Sequence, residues 1–221
     1  MPAPQAVLFD FDGVIADTEN VHVAAWERTF GALGWEVAPD RCARAAEIDD
    51  RAFLAEVCAS EDIVEGDIDG WCLRKQALTA EMLADEPRLF PGVSELIRAL
   101  ADRGIKLAVV STTWRENIEI VLKAGDLAGH FKGIVGKQDV PETKPDPASY
   151  RLALRRLKVA AKNSVALEDS PTGLAAAKGA SLRVVAVGHR RPPGAWAEGV
   201  PFLEDLSDLP GALATLGFEE G

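Results

Sequence analysis

Cysteine is scarce in this chain: Cys42, Cys58 and Cys72 are the only three, and none stands in a C-x-x-C spacing. An odd number so placed argues against a disulfide framework and a thiolate zinc site; reduced, packed thiols are the expectation. Long apolar runs are missing as well, since nothing approaches the ~18 uninterrupted apolar residues of a membrane span. The opening Met-Pro-Ala-Pro-Gln has neither the basic region nor the apolar run of a secretory leader. Together these absences predict a soluble, cytoplasmic protein. Positive charge is in short supply too, with 24 Lys+Arg against 35 Asp+Glu and a net charge of −11. That balance argues against nucleic acid and anionic membrane as partners. It leaves room for a small anionic molecule held by a few placed cations and a metal ion. No internal repeat and no low-complexity tract interrupts the chain.

What is present is ordinary for a globular protein: 221 residues, 48% hydrophobic and 27% charged. That length buries a large core, as one domain or as a domain with an insertion. Short β-rich runs occur at Ala6–Phe11, Ile105–Val110, Gly133–Val135, Ser164–Leu167 and Leu182–Val187. Between them the apolar residues recur at three and four, as in Val93, Leu96, Ile97 and Leu100, or Tyr150, Ala153, Leu154 and Leu157. Strands alternating with helices of this length predict βαβ units and a parallel sheet. The interval from Asp17 to Glu86 breaks the rhythm and looks helical throughout. Val23, Trp26, Phe30 and Leu33 form one stripe, with Asp17 or Thr18 as its N-cap, and Ile68, Trp71, Leu78 and Met82 form another. The expected organisation is an α/β core, 1–16 plus 86–221, with a helical subdomain, 17–85, inserted after the first strand.

The first strand runs into Asp10-Phe11-Asp12-Gly13. Residues two apart on an extended strand face the same way, so the two carboxylates are expected to point together. Close carboxylates repel unless a proton or cation lies between them, and a hard divalent cation such as Mg²⁺ suits oxygen ligands. Further polar clusters follow other strands: Ser111-Thr112-Thr113, Lys144 between Thr143 and Pro145, and Glu168-Asp169. Taken singly, three of the four have a plainer explanation: a turn or cap for Asp10 and Asp12, an N-cap for Ser111 and its neighbours, a solvated charge for Lys144. Open α/β sheets bind ligands beyond the carboxyl ends of their strands, where all four clusters converge. There a carboxylate can attack phosphorus, and a second can pass protons to the leaving group and from water. Lysine, hydroxyls and a divalent cation then stabilise the phosphoryl oxygens.

These motifs resemble those of the haloacid dehalogenase superfamily of phosphatases and phosphomutases, over nearly the whole chain. Asp10-Phe11-Asp12-Gly13-Val14 matches its DxDGx motif, Ser111 the hydroxyl ending the second strand, Lys144 the motif lysine, and Glu168-Asp169 the acidic fourth motif. The resemblance implies a Rossmann-like parallel-sheet core with an inserted α-helical cap. It makes Asp10 the nucleophile and Asp12 the general acid/base, while Ser111, Thr112 and Lys144 hold the phosphoryl group. Mg²⁺ is then held by Asp10, the backbone carbonyl of Asp12, and Asp169, with Glu168 in support. The helical insert is similar to the small cap of the subgroup containing β-phosphoglucomutase, phosphoglycolate phosphatase and CbbY-type phosphatases. Within it, Thr18, His22 and Trp26 fall in a DTExxHxxAW pattern. The resemblance places His22 near the hinge and entrance, and Arg74-Lys75 within reach of the substrate's far end. A packed histidine and a solvated charge pair are the plainer alternatives.

One stretch departs from the pattern. Related caps often carry a Gly-x-Ser-Arg-like loop, whereas Arg44-Ala45-Ala46-Glu47-Ile48-Asp49-Asp50-Arg51 is acidic and lacks the glycine. An acidic loop disfavours a second phosphate, which tilts the expectation from mutase toward hydrolase. The expected activity is a Mg²⁺-dependent phosphatase acting on a small phosphate ester, as a monomer or small homo-oligomer. Phosphoglucomutase-type transfer is the first alternative. A phospho-accepting receiver module fits less well, since receivers have no helical insert after the first strand.

Overall fold

The computed structural model describes residues 3–46, 49–61, 66–190, 192 and 194–218. Ala6-Val7-Leu8-Phe9 has no polar side chain, and all four residues are fully buried, as in a strand covered on both faces. This is β1 (Ala6–Phe9), followed by α1 (Glu19–Leu33), α2 (Pro39–Cys42), α3 (Asp50–Ser60) and α4 (Ile68–Asp85). Then come α5 (Val93–Asp102), β2 (Lys106–Val110), α6 (Arg115–Ala124), β3 (Phe131–Val135) and α7 (Ala148–Leu157). The chain finishes with β4 (Ser164–Glu168), α8 (Pro171–Gly179), β5 (Arg183–Val187), β6 (Phe202–Leu203) and α9 (Leu209–Leu216). Among the described residues the strands form a six-stranded parallel sheet in the order β3-β2-β1-β4-β5-β6. The parallel α/β core expected from the alternation of strand and helix is therefore present.

The order of the strands places the ligand crevice. From β1 the sheet grows through β2 and β3 on one side and through β4, β5 and β6 on the other. Such a reversal opens a crevice at the carboxyl ends of the two central strands. Phe9 pairs with Val109 on β2 and with Leu167 on β4, and the Asp10 N–H continues the ladder to the Leu167 carbonyl at 2.9 Å. Asp10 and Glu168 thus leave the sheet side by side. Leu8 and Ala166, two residues earlier, belong to the apolar cluster that α7 and α8 cover through Tyr150, Ala153, Leu154, Leu174 and Ala177. By the two-residue period, Glu168 faces that same side.

Two expectations need correcting. The first strand stops at Phe9 rather than Phe11, because the backbone turns at once: the Ile15 and Ala16 N–H groups both return to the Phe11 carbonyl. A shared strand face therefore does not account for the placement of Asp10 and Asp12. Asp17 is not a helix cap either. Thr18 takes that position without a side-chain capping bond, while Asp17 pairs with Arg190 in the loop after β5. In that loop His189 stacks on Phe90, centroids 4.2 Å apart. Strand β6 was not foreseen, as two residues carry no readable period.

The chain divides into two compact units, 1–17 with 88–221, and 18–87. In the second unit α1 packs on α4 around an aromatic cluster. Phe30 lies stacked on Trp26 at 5.1 Å and on Trp35 at 5.8 Å, with Phe53 tilted beside it at 6.1 Å. Cys42 and Cys58 are buried in the same cluster as small packing groups, and Cys72 lies against it. No described helix is long and apolar enough to cross a membrane.

In the first unit, the loop between β3 and α7 is braced by one carboxylate. Asp139 takes Arg115 at 2.5 Å, Arg156 at 2.7 Å and the Gly136 N–H at 2.8 Å. Both guanidinium groups also donate to the Ile134 carbonyl, which ties the loop to α6, α7 and the end of β3. Burial works to raise the Asp139 carboxyl. Hydrogen bonds from Arg156 and Gly136, with the two guanidinium charges, outweigh it and hold the group below its ordinary value.

Two outcomes follow for stability. Phe30→Ala removes the centre of the aromatic cluster and is expected to cost about 3–5 kcal/mol in denaturant unfolding. Asp139→Asn is expected to cost about 1.5–3 kcal/mol at neutral pH, the scale for a hydrogen bond to a charged group. Because the Asp139 pKa is depressed on folding, its contribution is full above the unfolded value of about 4. Urea titrations from pH 7 downward should therefore show the gap to wild type closing as pH falls through the depressed pKa.

Candidate functional site

Four segments meet at the carboxyl ends of β1, β2 and β4. Asp10 follows β1 and is 7% exposed. Its Oδ1 accepts from the Phe11 N–H at 2.7 Å and lies 2.8 Å from Lys144 Nζ. Lys144 comes from the braced loop after β3, and its ammonium also lies 2.7 Å from Glu168 Oε1. One lysine thus joins the ends of the two central strands. Glu168 ends β4, is fully buried, and also accepts from the Tyr150 hydroxyl. Asp169 follows it, and one carboxylate oxygen each of Asp10, Glu168 and Asp169 lies within 4.8 Å of the others.

Asp12 stands apart from that triad. Its Oδ2 accepts from Thr113 Oγ1 at 2.7 Å and from Ser111 Oγ at 3.1 Å, and Ser111 Oγ in turn accepts from the Thr113 N–H at 2.9 Å. The hydroxyl motif after β2 therefore orients the second aspartate. Thr113, named in the hydroxyl cluster but expected to have no role of its own, makes the shorter of the two bonds. Thr112, which the sequence reading singled out, is exposed. The signal was available: residues two apart in an extended segment share a side, which groups Thr113 with Ser111.

Close approach dictates one glycine here. Gly13 has φ +82°, and a Cβ on it would lie 1.8 Å from Asp169 Oδ2. The turn after Asp12 needs both the left-handed backbone and the bare α-carbon, so that Asp169 can lie against it.

The electrostatics are those of crowded negative charge. Burial raises the Asp10 pKa well above the ordinary carboxylate value; Glu168 and, less strongly, Asp12 add to this, and Lys144 opposes it. Burial works to lower the Lys144 pKa, but Asp10 and Glu168 outweigh it and the ammonium is held well above its usual range. Tyr150 is pushed up by burial and by the charges of Glu168 and Asp10. Three carboxylates against one ammonium leave negative charge uncompensated. Glu168 Oε2, moreover, is buried with no hydrogen-bond partner. A buried, unsatisfied carboxylate oxygen is costly, and a hard divalent cation bound through oxygen relieves it. The donor set fits such an ion.

In the second unit, His22 on α1 and Lys75 on α4 form a different cluster. Lys75 is 2% exposed, with Nζ 2.8 Å from His22 Nδ1 and 2.9 Å from Asp50 Oδ1. Its ammonium lies 5.8 Å from the Trp26 ring centre, and the Trp26 indole N–H also reaches Asp50 at 3.2 Å. A solvated charge therefore describes Arg74 but not Lys75, which Asp50 matches inside the unit. In the acidic stretch that departs from the family pattern, Arg44 pairs with Glu56 at 3.5 Å and Arg51 pairs with Asp69. Glu47 and Ile48 of that stretch lie outside the described residues.

Comparison with known proteins agrees with this architecture. Residues 7–187 match the model of the haloacid dehalogenase-like hydrolases. Protein CbbY of Cereibacter sphaeroides is 38% identical over 196 residues, 82% of this chain and 83% of that protein. A phosphorylated carbohydrates phosphatase of Thermotoga maritima is 34% identical over 190 residues, 84% of this chain and 86% of its own. A crystal structure of a CbbY variant from Rhodobacter sphaeroides, in complex with xylulose-(1,5)bisphosphate, superposes with a TM-score of 0.83. It is 32% identical, and the match covers 97% of this chain and 100% of that one. With its six-stranded parallel sheet, its aspartates and its lysine at the strand ends, the chain belongs to the haloacid dehalogenase-like hydrolase family.

Proposed function

We propose that this phosphatase of the haloacid dehalogenase-like family is Mg²⁺-dependent and hydrolyses a small phosphomonoester through an aspartyl-phosphate intermediate. The observation that carries the proposal is the Asp10–Lys144–Glu168 arrangement, in which a buried carboxylate is held beside one cation and two further acids. A sugar phosphate is the preferred substrate class. Similarity to the phosphorylated carbohydrates phosphatase and to the sugar bisphosphate complex of CbbY supports that preference over an organic-acid phosphate.

The proposed chemistry has two steps. A carboxylate oxygen of Asp10 attacks phosphorus as the ester P–O bond breaks, and the Asp12 carboxyl gives its proton to the departing alkoxide. Asp12, now a carboxylate, takes a proton from water as the water oxygen attacks the phosphoryl group; inorganic phosphate leaves and Asp10 is restored. Hydrogen bonds from Ser111 and Thr113 hold the Asp12 carboxylate through Oδ2, which fixes the direction of proton transfer. Lys144 supplies positive charge next to Asp10 and, with Thr112, holds the phosphoryl oxygens; Ser111 would join them only by turning its hydroxyl away from Asp12. Asp10, the backbone carbonyl of Asp12, Glu168 and Asp169 would hold the Mg²⁺. When bound, the ion neutralises phosphate charge and favours ionised Asp10, whose carboxylate burial otherwise opposes.

Hydrolysis is preferred to a mutase reaction because the acidic stretch that replaces the family's Gly-x-Ser-Arg-like loop has its charges matched within the second unit. Arg44 and Arg51 face carboxylates already, and Lys75 is matched by Asp50.

Asp10→Asn is expected to lower phosphate release by about 10³-fold or more, with circular dichroism unchanged. Retention of substantial Mg²⁺-dependent turnover would sink the assignment of Asp10. Chelation with EDTA should stop phosphate release from a panel of sugar phosphates, and excess Mg²⁺ should restore it. The panel includes β-glucose 1-phosphate; its conversion to glucose 6-phosphate without phosphate release would contradict the hydrolase.

A further inference from the structure

Among the described residues the Glu168 carboxylate is the most confined group of the site. It is fully buried, and Oε1 takes both the Lys144 ammonium, at 2.7 Å, and the Tyr150 hydroxyl, while Oε2 has no hydrogen-bond partner. Tyr150, the only tyrosine of the chain, stands in the first turn of α7 with no exposed surface. Its ring lies under the same ammonium, with Lys144 Nζ 5.3 Å from the ring centre. The opposite wall is Gly173, in the first turn of α8. A Cβ there would fall 1.7 Å from Oε2 and 2.5 Å from Oε1 of Glu168. Nothing in the local backbone demands glycine, for Gly173 is not in the left-handed region and sits within a helix capped by Ser170. What its bare α-carbon provides is room for the carboxylate.

We propose that Tyr150 and Gly173 are positioning residues for the metal site: the tyrosine hydroxyl engages one oxygen of Glu168, and the glycine leaves space for the other to remain available to the cation. Neither touches the substrate. Tyr150 commits Oε1 to the protein, so that Oε2 is the oxygen left without a partner. Its ring also limits where the Lys144 ammonium can lie, which couples the metal ligand to the lysine beside Asp10. Gly173 acts by size alone. An added methyl must displace the carboxylate, and Lys144, Tyr150 and full burial leave that group little room to move. Outer partners of metal ligands commonly govern affinity by about 10–100-fold. The inference rests on the reading of Asp10, Glu168 and Asp169 as the cation's ligands.

The test is Mg²⁺ titration calorimetry on the substrate-free protein, with phosphate-release kinetics beside it. Tyr150→Phe keeps the ring and removes only the hydroxyl; Gly173→Ala keeps the helix and removes only the space. Each is expected to raise the Mg²⁺ dissociation constant by about 10-fold. Turnover should recover substantially as Mg²⁺ is raised to saturation. A purely structural role predicts a lower melting temperature with an unchanged Mg²⁺ dissociation constant. Finding that constant within about twofold of wild type in both folded variants, below the range for such partners, overturns the proposal. If Tyr150→Phe does not fold, Gly173→Ala decides, since alanine is the better helix former. Wild type that binds Mg²⁺ yet releases no phosphate from any ester overturns the functional reading and leaves this inference standing. Wild type that binds no Mg²⁺ overturns the inference.

Discussion

The structure depends on one tolerated conflict: carboxylates crowded into a buried space at the ends of β1 and β4. Neither burial nor mutual repulsion favours their charge, and both raise the Asp10 pKa. The Lys144 bridge between Asp10 and Glu168 offsets part of this, and a divalent cation fits the remainder. Much of the surrounding fold can be understood as support for that arrangement. The sheet order makes β1 and β4 neighbours, and their register brings Asp10 and Glu168 out side by side. The Asp139 brace secures the loop that carries Lys144. Gly13 and Gly173 leave space where a side chain would collide with Asp169 and Glu168.

The second unit solves a similar problem on a smaller scale. Lys75 is a buried ammonium in a helical unit whose hydrophobic cluster is built largely on aromatic side chains. Asp50 of α3 compensates it, together with His22 and the face of Trp26, which lie one turn apart on α1. Breaking a buried pair by removing one partner leaves the other charge stranded, which commonly costs about 3–5 kcal/mol. Such a cluster ties α1, α3 and α4 together through polarity as well as packing. It also means that the acidic stretch around Asp50 is not idle surface charge.

Much of this was legible in the sequence, for identifiable reasons. The parallel α/β core follows from the alternation of short buried runs with helical periods, because each strand must be covered on both faces. Asp10, Asp12, Ser111, Lys144, Glu168 and Asp169 stood out because polar groups at the ends of apolar strands are expensive without a purpose. The structure gathers Asp10, Lys144, Glu168 and Asp169 around one space and sets Ser111 on Asp12. Local pattern could not reveal what depends on distant segments. Tyr150 reads as one more apolar residue of α7, and only the packing of α7 beside β4 brings its hydroxyl to Glu168. Asp17 looked like a cap because Arg190, far along the chain, was invisible as its partner. Lys75 read either as a group reaching the substrate or as a solvated charge, because nothing near it in sequence announces Asp50 or His22.

The central claim is that Asp10 becomes phosphorylated in a cation-dependent reaction. Acid quench of the enzyme during turnover of a labelled sugar phosphate, followed by peptide mass spectrometry, tests it directly. The account predicts a hydroxylamine-labile phosphoryl group on the peptide containing Asp10, formed with Mg²⁺ and lost on chelation. A phosphoryl group carried on any other residue, or Mg²⁺-independent labelling of Asp10, would contradict it.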